Sequence, residues 1–191
     1  MDGWSNTSAN GTPLHISDLS GKLTKVGAYR QTICEIQEFD YLMHRLLDQD
    51  LPQITAAKQS RARLLEDMQT LIQMLTWQDF ELFVDLIFTQ SGWRRISSLG
   101  NTQKTLDLEL LLPTTKERAI IQVKSSTDQA QLDDYIERFA SMGADKYFYV
   151  YHSSVQKLET HGADIMLLNC EALAEHTLSV GLCEWLIARI G

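Results

Sequence analysis

Apolar side chains recur every three or four residues along the first part of the chain and alternate with polar ones through its middle. Residues 1–30, rich in Ser, Thr, Asn and Gly, show little periodicity and read as a flexible N-terminal arm. From about Ile33 a helical period begins, with Ile36, Phe39, Met43 and Leu46 at steps of 3, 4 and 3. Leu51-Pro52 interrupts it, because proline disfavours helical backbone at the residue before it. Ile54, Ala57, Arg61, Leu64, Met68, Leu71 and Leu75 then follow at alternating steps of 3 and 4, with Arg61 the one interruption. The two runs predict a helical hairpin over 31–75, suited to pack on the following domain or on a second copy of the chain.

Thr76, with Asp79 three residues on, marks a helix start of the capping-box kind, and the helix runs from Trp77 to about Gln90 before Gly92 stops it. Trp93–Ser98 reads as a strand and Leu99–Lys104 as a polar loop. Thr105–Leu112 and Arg118–Lys124 read as two strands joined by a loop of hairpin length. A helix over Gln129–Met142, a strand over Lys146–His152 and a short helix over Ser154–His161 follow. A strand over Ile165–Leu168 and one or two helices over Glu171–Ile190 complete the order. The expected fold class is α/β. Its domain, 76–191, is a mixed sheet with a central antiparallel hairpin, crossover-connected strands after it and helices on its flanks.

Composition narrows the class. The length and a 44% apolar, 22% charged make-up suit a soluble globular chain. No apolar run approaches the roughly 18–20 residues of a membrane helix, and the polar N-terminus does not resemble a secretory signal. Cys34, Cys170 and Cys183, odd in number and widely spaced, form neither a disulfide framework nor a zinc knuckle. They read as reduced thiols of a cytoplasmic protein. The net charge of −8 argues against a phosphate-bearing partner, but it is unevenly spread. Residues 92–124 carry six basic groups (Arg94, Arg95, Lys104, Lys116, Arg118, Lys124) against three acidic ones. That basic stretch is also where the hairpin lies.

Strand alternation then decides which side chains share a face. In Leu106-Asp107-Leu108-Glu109-Leu110 the leucines face one side and the carboxylates the other; in Ile121-Gln122-Val123-Lys124 the amide and the ammonium share a face. Closing the hairpin with Leu112 near Arg118 sets Asp107 opposite Gln122 or Lys124. On the preceding helix, Phe80, Phe83, Val84, Ile87 and Phe88 form one apolar face, with Glu81 and Asp85 at its edge. A helix glutamate, a strand aspartate and an acceptor two residues before a lysine supply oxygen ligands plus one cation. Hard divalent cations such as magnesium take oxygen ligands, and phosphodiester hydrolysis needs an activated water beside a metal.

These residues, with Trp77-Gln-Asp-Phe-Glu81 and Gly92-Trp93-Arg94-Arg95, resemble the P-D-(D/E)-x-K nuclease superfamily, closest to its Mrr-like restriction endonuclease branch. The resemblance covers residue 76 to about 190 and implies a restriction-endonuclease-like fold and a magnesium- or manganese-dependent deoxyribonuclease. It implies metal ligation by Asp107 and Gln122, support of the metal shell by Glu81, and orientation of the attacking water by Lys124. Gln122 stands where an acid is usual, as in the Mrr branch, and Leu106 rather than proline precedes Asp107. Gln131 and Tyr135 match the Q-x-x-x-Y element of RecB- and λ-exonuclease-like members, with an i, i+4 spacing that sets both on one helix face, toward DNA or the lysine. Arg94, Arg95 and Lys104 are the expected phosphate contacts, Glu109 is expected to be solvated, and the N-terminal helices are the expected route to a homodimer. The alternative is a non-catalytic DNA-binding or protein-interaction module that keeps the fold.

Overall fold

A computed structural model of the chain describes residues 5–28, 35–96, 107–139, 142–160 and 165–191. They fall into two compact units, 1–61 and 62–191. In the first unit, two 3-10 turns (Ile16–Asp18 and Lys25–Ala28) flank the one-turn helix α1 (Gly21–Thr24), and α2 spans Phe39–Leu46. Residues 5–28, aperiodic in sequence, are tied down by hydrogen bonds rather than by an apolar stripe. The Ala9 N–H donates to Leu46 O at 2.8 Å, the Asn10 N–H to Asp48 Oδ2 at 3.1 Å, and the Ser20 N–H to the Tyr41 hydroxyl at 2.9 Å. Pro52 opens α3 (Pro52–Met74), a position where its missing N–H costs nothing. The 3-4 seam of α3 has two fates. Ile54 and Leu64 are exposed, while Met68 and Leu75 are buried in the core of the second unit, with Leu71 packed against it.

In the second unit, α4 (Trp77–Gln90) begins where Thr76 caps it, its hydroxyl oxygen accepting the Asp79 N–H at 3.2 Å. It ends before Gly92, whose φ of +94° suits glycine. Five strands form one sheet in sequence order: β1 (Arg94–Arg95), β2 (Leu108–Leu111), β3 (Arg118–Thr127), β4 (Lys146–Ser154) and β5 (Ile165–Leu168). The first three are antiparallel neighbours, and β3–β4 and β4–β5 are parallel. Such a mixed sheet flanked by helices is the expected class. The crossover from β3 to β4 is α5 (Gln129–Phe139); α6 (Cys170–Val180) and α7 (Cys183–Ile190) close the chain, separated at Gly181 in the left-handed region.

Two differences from the sequence reading stand out. The strand expected to end at His152 continues to Ser154, and β3 likewise continues to Thr127 because Ser126 and Thr127 pair with Ser153 and Ser154. No helix forms over 155–160, where a short one was expected; the Ser154 hydroxyl donates to Gln156 O at 2.6 Å and turns the chain. The expected loop Leu99–Lys104, and Lys104 with it, lies outside the described residues.

The sheet separates two cores. On one face, Phe80, Phe83, Val84 and Ile87 of α4 meet Leu108, Leu110, Ile121, Val123, Phe148 and Val150, with Leu173 of α6 and Leu186 of α7. On the other, Leu132 of α5 meets Tyr149, Tyr151 and Leu158. Both follow from the alternation in β3 and β4. Arg189 near the end of α7 holds Asp79 in the first turn of α4, its Nε donating to Asp79 Oδ1 at 2.8 Å, so the cap residue's own partner is also an ion-pair anchor.

Candidate active site

The β2–β3 register pairs Leu108 with Ile121 and Leu111 with Arg118. Asp107 is the residue before Leu108, so it falls beside Gln122, one of the two partners that face-matching allows. Its Oδ2 accepts from Gln122 Nε2 and, at 2.7 Å, from the Val123 N–H. One carboxylate oxygen thus ties the two strands together. Gln122 is 2% exposed, and its Oε1 is buried without a hydrogen-bond partner. An orphaned acceptor of this kind costs about 1–3 kcal/mol unless something occupies it. A cation is the natural occupant beside a carboxylate.

Two charges bear on this pair, Glu81 from α4 and Lys124 from further along β3. Burial raises the Asp107 pKa, opposed by the Val123 N–H, the Lys124 charge and the Gln122 amide. Glu81 on α4 is half-buried, and its pKa is raised by burial and by the Asp107 charge, with Arg95 and Lys124 pulling the other way. Each carboxylate is therefore held against its own ionisation, the condition in which a bound cation gains most. Lys124 projects from β3 so that its Nζ lies 5.3 Å from the centre of the Tyr135 ring on α5.

The donor set fits a divalent metal. Among the described residues no three His, Cys, Asp or Glu side chains gather as a metal cluster. A cation here would rest on Asp107, Glu81 and the Gln122 amide oxygen. All three donors are oxygens, as magnesium and manganese prefer.

Other expected site residues lie in different settings. Arg95 Nη1 is 3.7 Å from Asp85 Oδ2, one turn along α4 from Glu81, and the arginine is exposed on β1. Arg94 is exposed on β1. Gln131 is exposed; its backbone N–H donates to Asp128 Oδ1 at 2.9 Å in the first turn of α5. Glu109, expected to be solvated, is bound by Arg118 Nη2 at 2.5 Å, which keeps it out of the Asp107 cluster. The Val123 N–H and the Asp85–Arg95 pair are contributors that residue patterning does not single out. Only the i, i+4 placement of Asp85 after Glu81 hints at the second.

The family model described as restriction endonuclease, of the Mrr catalytic type, matches residues 72–176, more than half of the chain. The match takes in α4, all five strands and most of α6, and with them Glu81, Asp107, Gln122 and Lys124. No curated protein matches the chain. With a mixed sheet of this order beneath a carboxylate, amide and lysine on adjacent strands, the chain belongs to the restriction endonuclease family, in its Mrr-like P-D-(D/E)-x-K branch.

Proposed function

We propose that the protein is a magnesium- or manganese-dependent endonuclease that hydrolyses phosphodiester bonds of DNA. The observation that carries this reading is the buried, partnerless Oε1 of Gln122 on the amide that donates to Asp107, whose carboxylate also interacts through its charge with Glu81 and Lys124. Asp107, Gln122 and Glu81 would hold the metal, which supplies Lewis acidity toward the scissile phosphate and lowers the pKa of a bound water. Asp107 is fixed for this by the Val123 N–H, which leaves its Oδ1 available. Lys124 orients the attacking water with an N–H and faces the negative charge that develops on the phosphate oxygens. The attacking water gives up a proton to solvent as it adds to phosphorus, and the sugar oxygen displaced on the opposite side takes one from solvent.

Arg94, Arg95, Lys104 and Gln131 are proposed contacts to the DNA backbone, in keeping with the basic charge of 92–124. The exposed Ile54 and Leu64 on α3 support a homodimer through the N-terminal helices. No helix among the described residues is long and apolar enough to cross a membrane, and the free thiols of Cys170 and Cys183 suit a reducing cytoplasm. If the dimer forms through α3, the double variant Ile54→Lys, Leu64→Lys sediments as a monomer at concentrations where the wild type is a dimer; identical sedimentation rejects that interface.

Cleavage of supercoiled plasmid with magnesium, with manganese and with EDTA tests the enzyme reading. Wild type should cut with either metal and not in EDTA. Lys124→Ala and Asp107→Ala should lose about 10³-fold or more of the rate. Equal cutting by wild type and both variants under every metal rejects the reading. The competing one, a module that binds without cutting, has a specific basis in Gln122, since a neutral amide gives the site one negative charge fewer than the usual acid. It predicts salt-sensitive DNA retention with no calorimetric signal for magnesium.

A further inference from the structure

Lys124 carries the most exacting task in the proposed reaction, yet it forms no direct ion pair among the described residues. Asp107 and Glu81 both act on it through their charge. A lysine side chain has four rotatable bonds and a compact ammonium, so nothing intrinsic keeps it from collapsing onto a nearby carboxylate. Collapse would partly neutralise the oxygens meant for the metal and turn the ammonium away from the water it has to orient.

What holds it off is aromatic. The Tyr135 ring centre lies 5.3 Å from Lys124 Nζ, within the range of a cation–π contact. The ring is not free to follow the lysine. It packs against Phe139 at 6.0 Å and Tyr149 at 5.6 Å between centroids. Phe139 and Tyr149 are buried, and the Tyr149 hydroxyl is hydrogen-bonded at 2.5 Å to Thr127 Oγ1 on the same strand as Lys124. Arg138, ion-paired with Asp134 at 2.5 Å, lies 5.3 Å from the same ring centre. The register completes the frame: Tyr149 stands beside Gln122 and Tyr151 beside Lys124.

We propose that Tyr135 is a positioning residue whose ring face holds the Lys124 ammonium away from Asp107 and Glu81, so that its N–H groups remain available to the attacking water. The spacing of Gln131 and Tyr135 leaves DNA and the lysine open as partners; this assigns Tyr135 to the lysine, and it rests on the nuclease reading above. The ring face does the holding and the hydroxyl does not, so chemistry at position 135 separates the two roles.

The experiment uses the full chain with supercoiled plasmid and magnesium. Tyr135→Leu should lower kcat about tenfold with KM for DNA unchanged, while Tyr135→Phe stays close to wild type. Because leucine could loosen the packing, a second variant carries pentafluorophenylalanine at 135. That ring keeps its bulk but repels a cation at its face, and it should lose activity as leucine does. In metal-free protein, the ε-methylene NMR signals of Lys124 should be displaced upfield by the ring current in wild type and Tyr135→Phe, and return to ordinary positions in Tyr135→Leu. Wild-type kcat in the leucine and fluorinated variants overturns the proposal, as does an undisplaced Lys124 signal in wild type. A raised KM with unchanged kcat overturns it in favour of the DNA contact. Lys124→Ala is the control: if it cuts as well as wild type, the nuclease reading falls and the catalytic purpose of the contact falls with it. The Lys124 signal still reports separately whether the contact exists.

Discussion

The two faces of the sheet are built from the same strands to different specifications. Ile121, Val123, Phe148 and Val150 on one face pack with apolar groups of α4, α6 and α7. Gln122 and Tyr149 on the other are fully buried but polar, and Thr127 beside them is 4% exposed. Burying polar groups is tolerated only when they satisfy one another. That condition is met by Gln122 with Asp107 and by Tyr149 with Thr127. Among the described residues Gln122 Oε1 is left without a partner. The dry face stabilises the fold; the polar face orders a site, and the unmet Gln122 acceptor is where a ligand has most to gain.

The comparison is broken most severely on the dry face. Phe83 has no exposure and stacks on Trp185 with 5.7 Å between ring centroids. Phe83→Ala should cost about 3–5 kcal/mol, from lost transfer energy plus the cavity left behind. Urea unfolding at constant m-value checks it. A cost below about 1 kcal/mol would mean that α4 does not anchor this core.

On the polar face a smaller deletion is informative. Burial pushes the Tyr149 hydroxyl up to about 12, so it is a neutral donor or acceptor throughout the working pH range. Tyr149→Phe strands the Thr127 hydroxyl and should cost about 1–3 kcal/mol. The double variant Tyr149→Phe, Thr127→Val removes both partners and should recover much of that loss. If the double variant is as unstable as the two singles added together, the hydroxyls are not coupled and the polar face is packed by shape alone.

Much of this contrast is legible in the chain. The period of two in β3 and β4 assigns the faces, Thr76 and Asp79 announce α4, and the face-matched hairpin allows Asp107 only Gln122 or Lys124 as partner. The hidden parts have a common physical cause. Arg95 and Arg118 carry long, flexible side chains, and their partners Asp85 and Glu109 are chosen by proximity in space, which alternation does not encode. The N–H of Val123 binds Asp107 regardless of residue type, so no side-chain pattern signals it. β3 and β4 run past their expected ends for a similar reason. Ser125, Ser126, Ser153 and Ser154 have weak strand preference, and it is pairing of β3 with β4 that extends them.

The smallest predicted effect has the opposite sign. Burial and the Asp107 charge raise the Glu81 pKa above its unfolded value. A carboxyl shifted this way favours folding while protonated, below about pH 4, and that contribution is lost as pH rises through the folded pKa. At neutral pH the ionised Glu81 is therefore a burden on the metal-free protein, kept small by its solvent-facing side. Glu81→Gln should raise Tm by roughly 1–2 °C at pH 7 in EDTA and by nothing at about pH 4. Magnesium should narrow or reverse the gap, because it stabilises the wild-type fold by binding and finds a poorer site in the variant. A glutamine variant that is less stable than wild type in EDTA would show instead that Glu81 is held by its attraction to Arg95 and Lys124, and that the charges of the site are balanced before any metal binds.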